Sequence, residues 1–219
     1  MHSDGDFLQV VHEDAHLLVL HKPSGLLTIP GQSPHQQDCL IGRAQQRWPD
    51  ALIVHRLDQA TSGLLMLARG PAMQKALSLA FEKRQVHKAY EAVVHGLPTA
   101  PTGADGWGEI DLPIRIDWQN RPRSIVDPLR GKPSRTRWQT IGPGPWADTT
   151  RLALEPLTGR THQLRLHLMA LGHPIVGDPL YASEPWPSLS PRLLLHACSL
   201  RFDHPVTGEV LALSHPAPF

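Results

Sequence analysis

Apolar residues recur along this chain at two spacings. The continuous runs Leu17-Leu18-Val19-Leu20, Leu52-Ile53-Val54 and Gly63 to Leu67 are too short for helices and read as strands. The first of them ends at Lys22-Pro23-Ser24-Gly25, a turn sequence. Behind Pro71, a residue suited to a first helical turn, Met73, Ala76, Leu77, Ala80 and Phe81 follow at helical spacing. They predict a helix with one buried face, whose last turn at Glu82-Lys83-Arg84 is solvated. Tyr90 to Val94 reads as a strand stopped at Gly96. From Gly103 to Pro145 the chain is rich in Gly, Pro, Trp and Arg, a pattern of hairpins and long surface loops.

Thr149 to Leu154 alternates as a strand. After the turn Leu157-Thr158-Gly159-Arg160, the segment Gln163 to Leu171 predicts a second helix closed by Gly172, with Leu164, Leu168 and Leu171 facing inward. The tail, Leu193 to Leu213, reads as two strands joined through Pro205-Val206-Thr207-Gly208. Strands dominate in hairpin-like neighbourhoods, and helices are interspersed without strict alternation. An α+β fold with a mainly antiparallel sheet is expected, as one domain over residues 1–219, rather than a doubly wound parallel fold.

Composition narrows the classes without choosing among them. The 219 residues are 41% apolar, as in globular proteins, and no run is long and apolar enough to cross a bilayer. The start, MHSDGDFLQVVHEDAH, is acidic where a signal peptide is basic and then apolar, so a cytoplasmic protein is expected. Cys39 and Cys198 match no metal or redox spacing and read as inert thiols. Twenty-one basic and 20 acidic residues leave a net charge of +1, so any nucleic-acid partner must be held by local clusters. Fourteen histidines can raise the positive charge below neutral pH.

Two polar clusters stand out. His55-Arg56-Leu57-Asp58-Gln59-Ala60-Thr61-Ser62-Gly63 lies between two apolar runs. It is either a charged turn held by its own hydrogen bonds or a corner that gathers His55, Arg56 and Asp58 for chemistry. The second, Thr158 to His167, places Arg165 beside the apolar positions of the predicted helix. From pattern alone Arg165 reads as a snorkelling surface residue before a buried partner for a carboxylate. A zinc site from His162, His167 and His173 lacks the i, i+4 pair of a HExxH helix, so packing or RNA contact is the expectation there. A third feature, Arg115 to Arg137, holds Arg115, Arg121, Arg123, Arg130, Lys132, Arg135 and Arg137 against Asp117 and Asp127, with Trp118 and Trp138 among them. A basic, aromatic-containing loop suits the phosphates and unstacked bases of folded RNA, and equally describes a solvated hairpin.

Four segments carry a family resemblance. HRLDQATSGLLMLA resembles the signature of the RluA family of pseudouridine synthases, and GRTHQLRLHLMALGHPIVGD its C-terminal motif. HKPSGLLTIPG is similar to the N-terminal Lys-Pro-Ser/Ala-Gly motif, and Lys88-Ala89-Tyr90 to the Lys-x-Tyr element. They occur in family order. The resemblance implies the pseudouridine synthase fold, Asp58 as catalytic aspartate, Tyr90 stacked on the target uracil and Arg165 paired with Asp58. It further implies that Arg56 fills the gap left by the flipped nucleotide and that Leu164 walls the uracil pocket. His55, Lys88, Arg121, Arg123 and Arg160 are expected at the RNA. The isomerisation needs no cofactor and no metal, and a monomer is implied.

Asp117-Trp118-Gln119-Asn120-Arg121-Pro122 resembles a segment of the family's dual-specificity branch, whose members modify a tRNA anticodon stem-loop and a 23S rRNA stem-loop. Arg123-Ser124-Ile125-Val126 is less basic than that branch's continuation. At 219 residues, the additional N-terminal S4-type domain of many relatives is not expected here. The alternatives are action on a different rRNA uridine, a non-catalytic RNA clamp, and a nucleoside hydrolase with Glu155 or Asp178 as second carboxylate.

Overall fold

The computed structural model describes residues 8–99, 101, 103 and 105–219; the acidic start, residues 1–7, lies outside them, as does position 104 of the loop-rich stretch. In chain order the elements are β1 (Gln9–Glu13), β2 (Leu17–Lys22), α1 (Leu40–Arg47), β3 (Ala51–Ile53), β4 (Ser62–Arg69) and α2 (Pro71–Glu82). Then come β5 (His87–His95), β6 (Gly108–Asp111), β7 (Ile114–Ile116), β8 (Ser124–Val126), β9 (Arg135–Pro143) and β10 (Thr149–Pro156). Last are α3 (Gln163–Ala170), β11 (Leu195–Asp203) and β12 (Val210–Ser214). The fold is α+β, as the pattern predicts. The chain gathers into two compact units: one runs to His87 and is completed by Ala197–Pro216, and the other holds Lys88–His196 with Ala217–Phe219.

In the first unit the strands lie in the order β1-β2-β4-β11, with β3 beside β4 and β12 beside β11. The β1–β2, β2–β4, β3–β4 and β11–β12 pairs are antiparallel. Leu17 to Leu20 and Leu64 to Ala68 have no exposure at all, which explains why both strands read as unbroken apolar runs without alternation. Helix α2 lays Met73 and Leu77 onto Leu17, Val19, Leu64 and Met66, each buried aliphatic side chain contributing about 1.5–3 kcal/mol. Helix α1 is absent from the elements predicted above, although Leu40, Ile41 and Ala44 fall on one face of it. It buries only Leu40, Ile41 and Ala44, and Cys39 provides no side-chain cap, so tertiary packing holds it.

In the second unit the order is β5-β10-β9-β6, again antiparallel between the neighbours β5–β10, β10–β9 and β9–β6. β7 and β8 form a separate hairpin. Ile114 of that hairpin packs with Leu166 and Tyr181, and Val126 and Met169 close around them. The stretch expected to be loops and hairpins thus includes a nine-residue strand, β9. Helix α3 also departs from its predicted amphipathic form. Every residue from Gln163 to Leu168 is buried, whereas Leu171, expected to face inward, is 37% exposed just past the helix. Gly172, with φ of +90°, closes it as predicted.

Candidate active site

The segment around Asp58 is bolted to the turn after β2. Lys22 is fully buried, and its Nζ donates to the carbonyl oxygens of Pro23 (2.9 Å), Leu26 (2.8 Å) and Gln59 (3.0 Å). Three acceptors replace the water that a buried ammonium loses. Gln59 O also accepts the Gly25 N–H at 2.8 Å, and the Ser24 hydroxyl donates to Ala60 O at 2.7 Å. On the other side of Asp58, the buried hydroxyl of Thr28 donates to Leu57 O (2.8 Å) and accepts the Leu57 N–H (3.2 Å). Both peptide neighbours of Asp58 are therefore fixed. Asp58 itself is half-buried, and Arg56 is exposed.

His55 is anchored within the same unit. Its Nε2 accepts the Met66 N–H at 2.9 Å, and its ring stacks on Phe81 at 4.5 Å between centroids. The histidine thus joins the signature segment to β4 and α2. Gly63 follows from backbone approach: its φ is +117°, and a Cβ there would lie 2.3 Å from Ala197 O. Only glycine fits.

The second unit holds Tyr90, Leu164 and Arg165. Tyr90 lies on β5 opposite Leu154 of β10, and is 9% exposed. Leu164 and Arg165 occupy the first turn of α3, 6% and 3% exposed. The surface reading of Arg165 is therefore wrong. Its Nε donates to Asp178 Oδ2 at 2.8 Å and its Nη2 to Oδ1 at 2.7 Å, a two-pronged pair closed to solvent. Asp178 Oδ1 also accepts the N–H groups of Leu180 (2.9 Å) and Tyr181 (3.2 Å). The Arg165 guanidinium lies 5.2 Å from the Tyr181 ring centre, and the Tyr181 hydroxyl accepts the Ser124 N–H at 2.7 Å.

The approach to α3 is as tightly built. Gln163 Oε1 accepts from the Thr158 hydroxyl and the Arg160 N–H, while its Nε2 donates to Arg135 O and Thr136 Oγ1. Those four bonds satisfy the buried amide and shape the 158–160 turn. Lys88 faces this turn, since a Cβ added to Gly159 would sit 3.9 Å from its Nζ. Burial pushes the Lys88 ammonium below the usual lysine range. Arg160 is exposed.

The three histidines weighed as zinc ligands take three separate sets of partners. His162, in left-handed conformation at φ of +56°, shares a hydrogen bond with the Tyr181 hydroxyl (2.9 Å). His167 lies between Thr136 Oγ1 (2.9 Å) and Leu112 O (3.0 Å), and burial pulls its pKa down, against the opposing effects of the Leu112 carbonyl and Asp111. His173 bonds to His95 O at 2.8 Å. The carboxylates that a hydrolase would need are likewise engaged: Asp178 by Arg165, and Glu155 by Arg137 at 2.9 Å.

The basic stretch divides. Arg115 pairs with Asp127, Arg135 with Glu109, and Arg137 with Asp105 and Glu155. These acids include residues of strands and loops beyond the stretch, which a count along the sequence cannot see. Trp138, expected among RNA-facing aromatics, is 6% exposed and belongs to the core. Arg121, Arg123, Arg130 and Lys132 are exposed and make no ion pair among the described residues.

The pinned acid, the buried arginine and the tyrosine on β5 fall on the family motifs in order. The family model for RNA pseudouridylate synthase matches residues 16–170. The chain belongs to the RNA pseudouridylate synthase family. Among the curated relatives, the dual-specificity RNA pseudouridine synthase RluA of Pasteurella multocida (strain Pm70) is 43% identical over 213 residues, covering 97% of this chain and 94% of its own length. The RluA of Escherichia coli (strain K12) is 42% identical over 214 residues with the same coverage. Among solved structures, human RNA pseudouridylate synthase domain containing 1 superposes with a TM-score of 0.78 at 30% identity, covering all of this chain and 87% of its own. Human RNA pseudouridylate synthase domain containing 4 gives 0.72 at 25% identity, covering 96% and 88%. The pseudouridine synthase fold expected from the motifs is the fold found.

Several residues that anchor the candidate residues within their own units were not singled out as supports by the sequence. Lys22 and Thr28 fall within a quoted motif, yet nothing in their residue type announces a buried ammonium or a hydroxyl bridging to Leu57. Tyr181 carries no signal at all. Asp178 ends the C-terminal motif, and its binding to Arg165 across 13 positions has no periodic trace.

Proposed function

We propose that this protein is an RNA pseudouridine synthase acting on uridines of a tRNA anticodon stem-loop and a 23S rRNA stem-loop in the cytoplasm. The observation that carries the reading is the match to curated dual-specificity RluA enzymes over 97% of the chain, with Asp58, Tyr90 and Arg165 inside the family-matched span. The reaction breaks the C1′–N1 bond, turns the uracil, and joins C1′ to C5. N1 gains a proton and C5 loses one, so the exchange involves no net oxidation, and the chain's own side chains suffice.

A stacked base cannot make that turn. It must leave the helix at a cost of a few kcal/mol, of which an aromatic face such as Tyr90 returns about 1–3 kcal/mol. Arg56, exposed beside the acid, takes the vacated place in the stack, and Leu164 walls the uracil. Asp58 provides the carboxylate. Arg165, already oriented by Asp178, is the cation assigned to pair with the Asp58 carboxylate. The clamp of Lys22 and Thr28 keeps the acid's backbone still while the base turns. Lys88, Arg160, Arg121 and Arg123 offer cations to phosphates, whereas His55 acts from within by holding β4.

The test follows the hydrogen lost from C5. The purified protein releases tritium from stem-loop RNA labelled at C5 of uridine and leaves the base attached to the RNA. Asp58→Asn abolishes release while RNA binding persists. An undiminished rate in that variant, or free uracil among the products, overturns the reading.

A further inference from the structure

The hairpin tip between β7 and β8 carries an arrangement that the catalytic reading does not use. Trp118 is 66% exposed, and the Arg121 guanidinium lies 3.7 Å from its ring centre. The exposed indole offers a flat aromatic face on which a planar ring can stack. The arginine covers one side of the ring and holds the side chain still.

The loop beneath is rigid. Asp117 Oδ1 accepts the N–H groups of Gln119 (3.2 Å) and Asn120 (3.3 Å), and Asn120 Nδ2 donates to Asp117 Oδ2 at 2.9 Å. The Asp117 N–H donates to Arg123 O and the Arg123 N–H to Asn120 O, closing the tip onto itself. The hairpin stem is in turn seated on α3 through Ile114 and Val126. The ring is therefore presented before any partner arrives, and little order is left to impose on binding.

We propose that Trp118 and Arg121 form a stacking platform for an unpaired base of the RNA substrate, separate from the residues that turn the target uridine. The proposal rests on the RNA reading above for its partner. Arg121 and Arg123 at the tip, and Arg130 and Lys132 at the base of the hairpin, are exposed and lack acidic partners among the described residues, while Asp117 spends its charge inside the loop. That balance favours a polyanion over a protein face. The indole adds what a cation alone cannot, affinity for a base that has lost its neighbour in the helix. The platform is thus a sensor of single-stranded structure next to phosphate, suited to loops and blind to continuous duplex.

Binding is measured with the catalytically silent Asp58→Asn protein, so that affinity is read apart from turnover, using an anticodon stem-loop and a duplex of equal charge. Trp118→Ala weakens stem-loop binding by about 5- to 150-fold and leaves duplex binding unchanged. Trp118→Phe recovers most of the loss. In the active protein the same change falls mainly on KM. Arg121→Ala lowers the salt dependence of binding by about one phosphate contact, whereas Trp118→Ala leaves it unaltered. Equal stem-loop affinity in Trp118→Ala overturns the proposal, as does a change confined to self-association of the protein. Failure of tritium release with an intact Trp118 effect would count against the catalytic reading alone.

Discussion

Arg165 and Asp178 form a two-pronged ion pair at 2.8 and 2.7 Å, with side chains 4% and 0% exposed. Such a pair is expensive to assemble and far more expensive to halve, because the remaining ion stays buried without its partner. Asp178→Ala is expected to lose about 3–5 kcal/mol of stability, measured by urea unfolding. Arg165→Lys keeps the charge but not the fork, and activity falls by orders of magnitude while the melting temperature drops less than in Asp178→Ala. Equal melting temperatures for wild type and Asp178→Ala would show that the pair holds nothing.

Lys22→Met replaces an ammonium by an apolar chain of similar length. Pro23 O, Leu26 O and Gln59 O then lose a shared donor, at about 1–3 kcal/mol for the buried acceptors. The turn comes away from the Asp58 segment, so kcat falls more than the loss of stability explains. Amide exchange is the check: the Gly25 N–H, bonded to Gln59 O, exchanges faster in the variant. Unchanged exchange there would refute the clamp.

These two clusters mark how far the sequence can be read. The strands around Leu17 to Leu20 and Gly63 to Leu67, and the helix from Pro71, are local patterns, and they fold as read. Buried polar partnerships are not local. Lys22 meets Gln59 across 37 positions, and Arg165 meets Asp178 across a loop, so the local pattern shows Lys22 only as part of a turn and makes Arg165 look like a surface charge. The same blindness inflated the basic stretch, whose Arg135 and Arg137 meet Glu109, Asp105 and Glu155 only once β6, β9 and β10 pair. The candidate site was legible as motifs; its supports were legible only in three dimensions.

Asp14 gives a pH signature. Burial raises its pKa, but hydrogen bonds from His12 and from the N–H groups of His16 and Leu17 outweigh that and bring it from 3.8 to about 2. The folded value lies below the unfolded one, so ionised Asp14 stabilises the fold. That contribution, on the order of 2 kcal/mol, is complete above the unfolded value and disappears as pH falls through about 2. Asp14→Ala is expected to be less stable than wild type at neutral pH, with the gap narrowing steadily in urea melts from about pH 4 downward. A gap independent of pH would assign the loss to packing instead of charge.

Gly63 stands in the family signature for a backbone reason. With φ at +117° and Ala197 O, N and Cα within 2.3 to 2.7 Å of where a Cβ would stand, Gly63→Ala has no side chain to push aside, only the backbone of β11. The strand must separate locally from β4 or the residue must change conformation, and either costs more than the ~1 kcal/mol by which alanine otherwise favours folding over glycine. We expect a loss of at least about 2 kcal/mol, read as a lower urea midpoint with an unchanged slope. Activity should follow the folded fraction, because the residue touches no reacting atom. Turnover abolished in a fully folded Gly63→Ala protein would instead give this glycine a direct part in shaping the ground on which Asp58 stands.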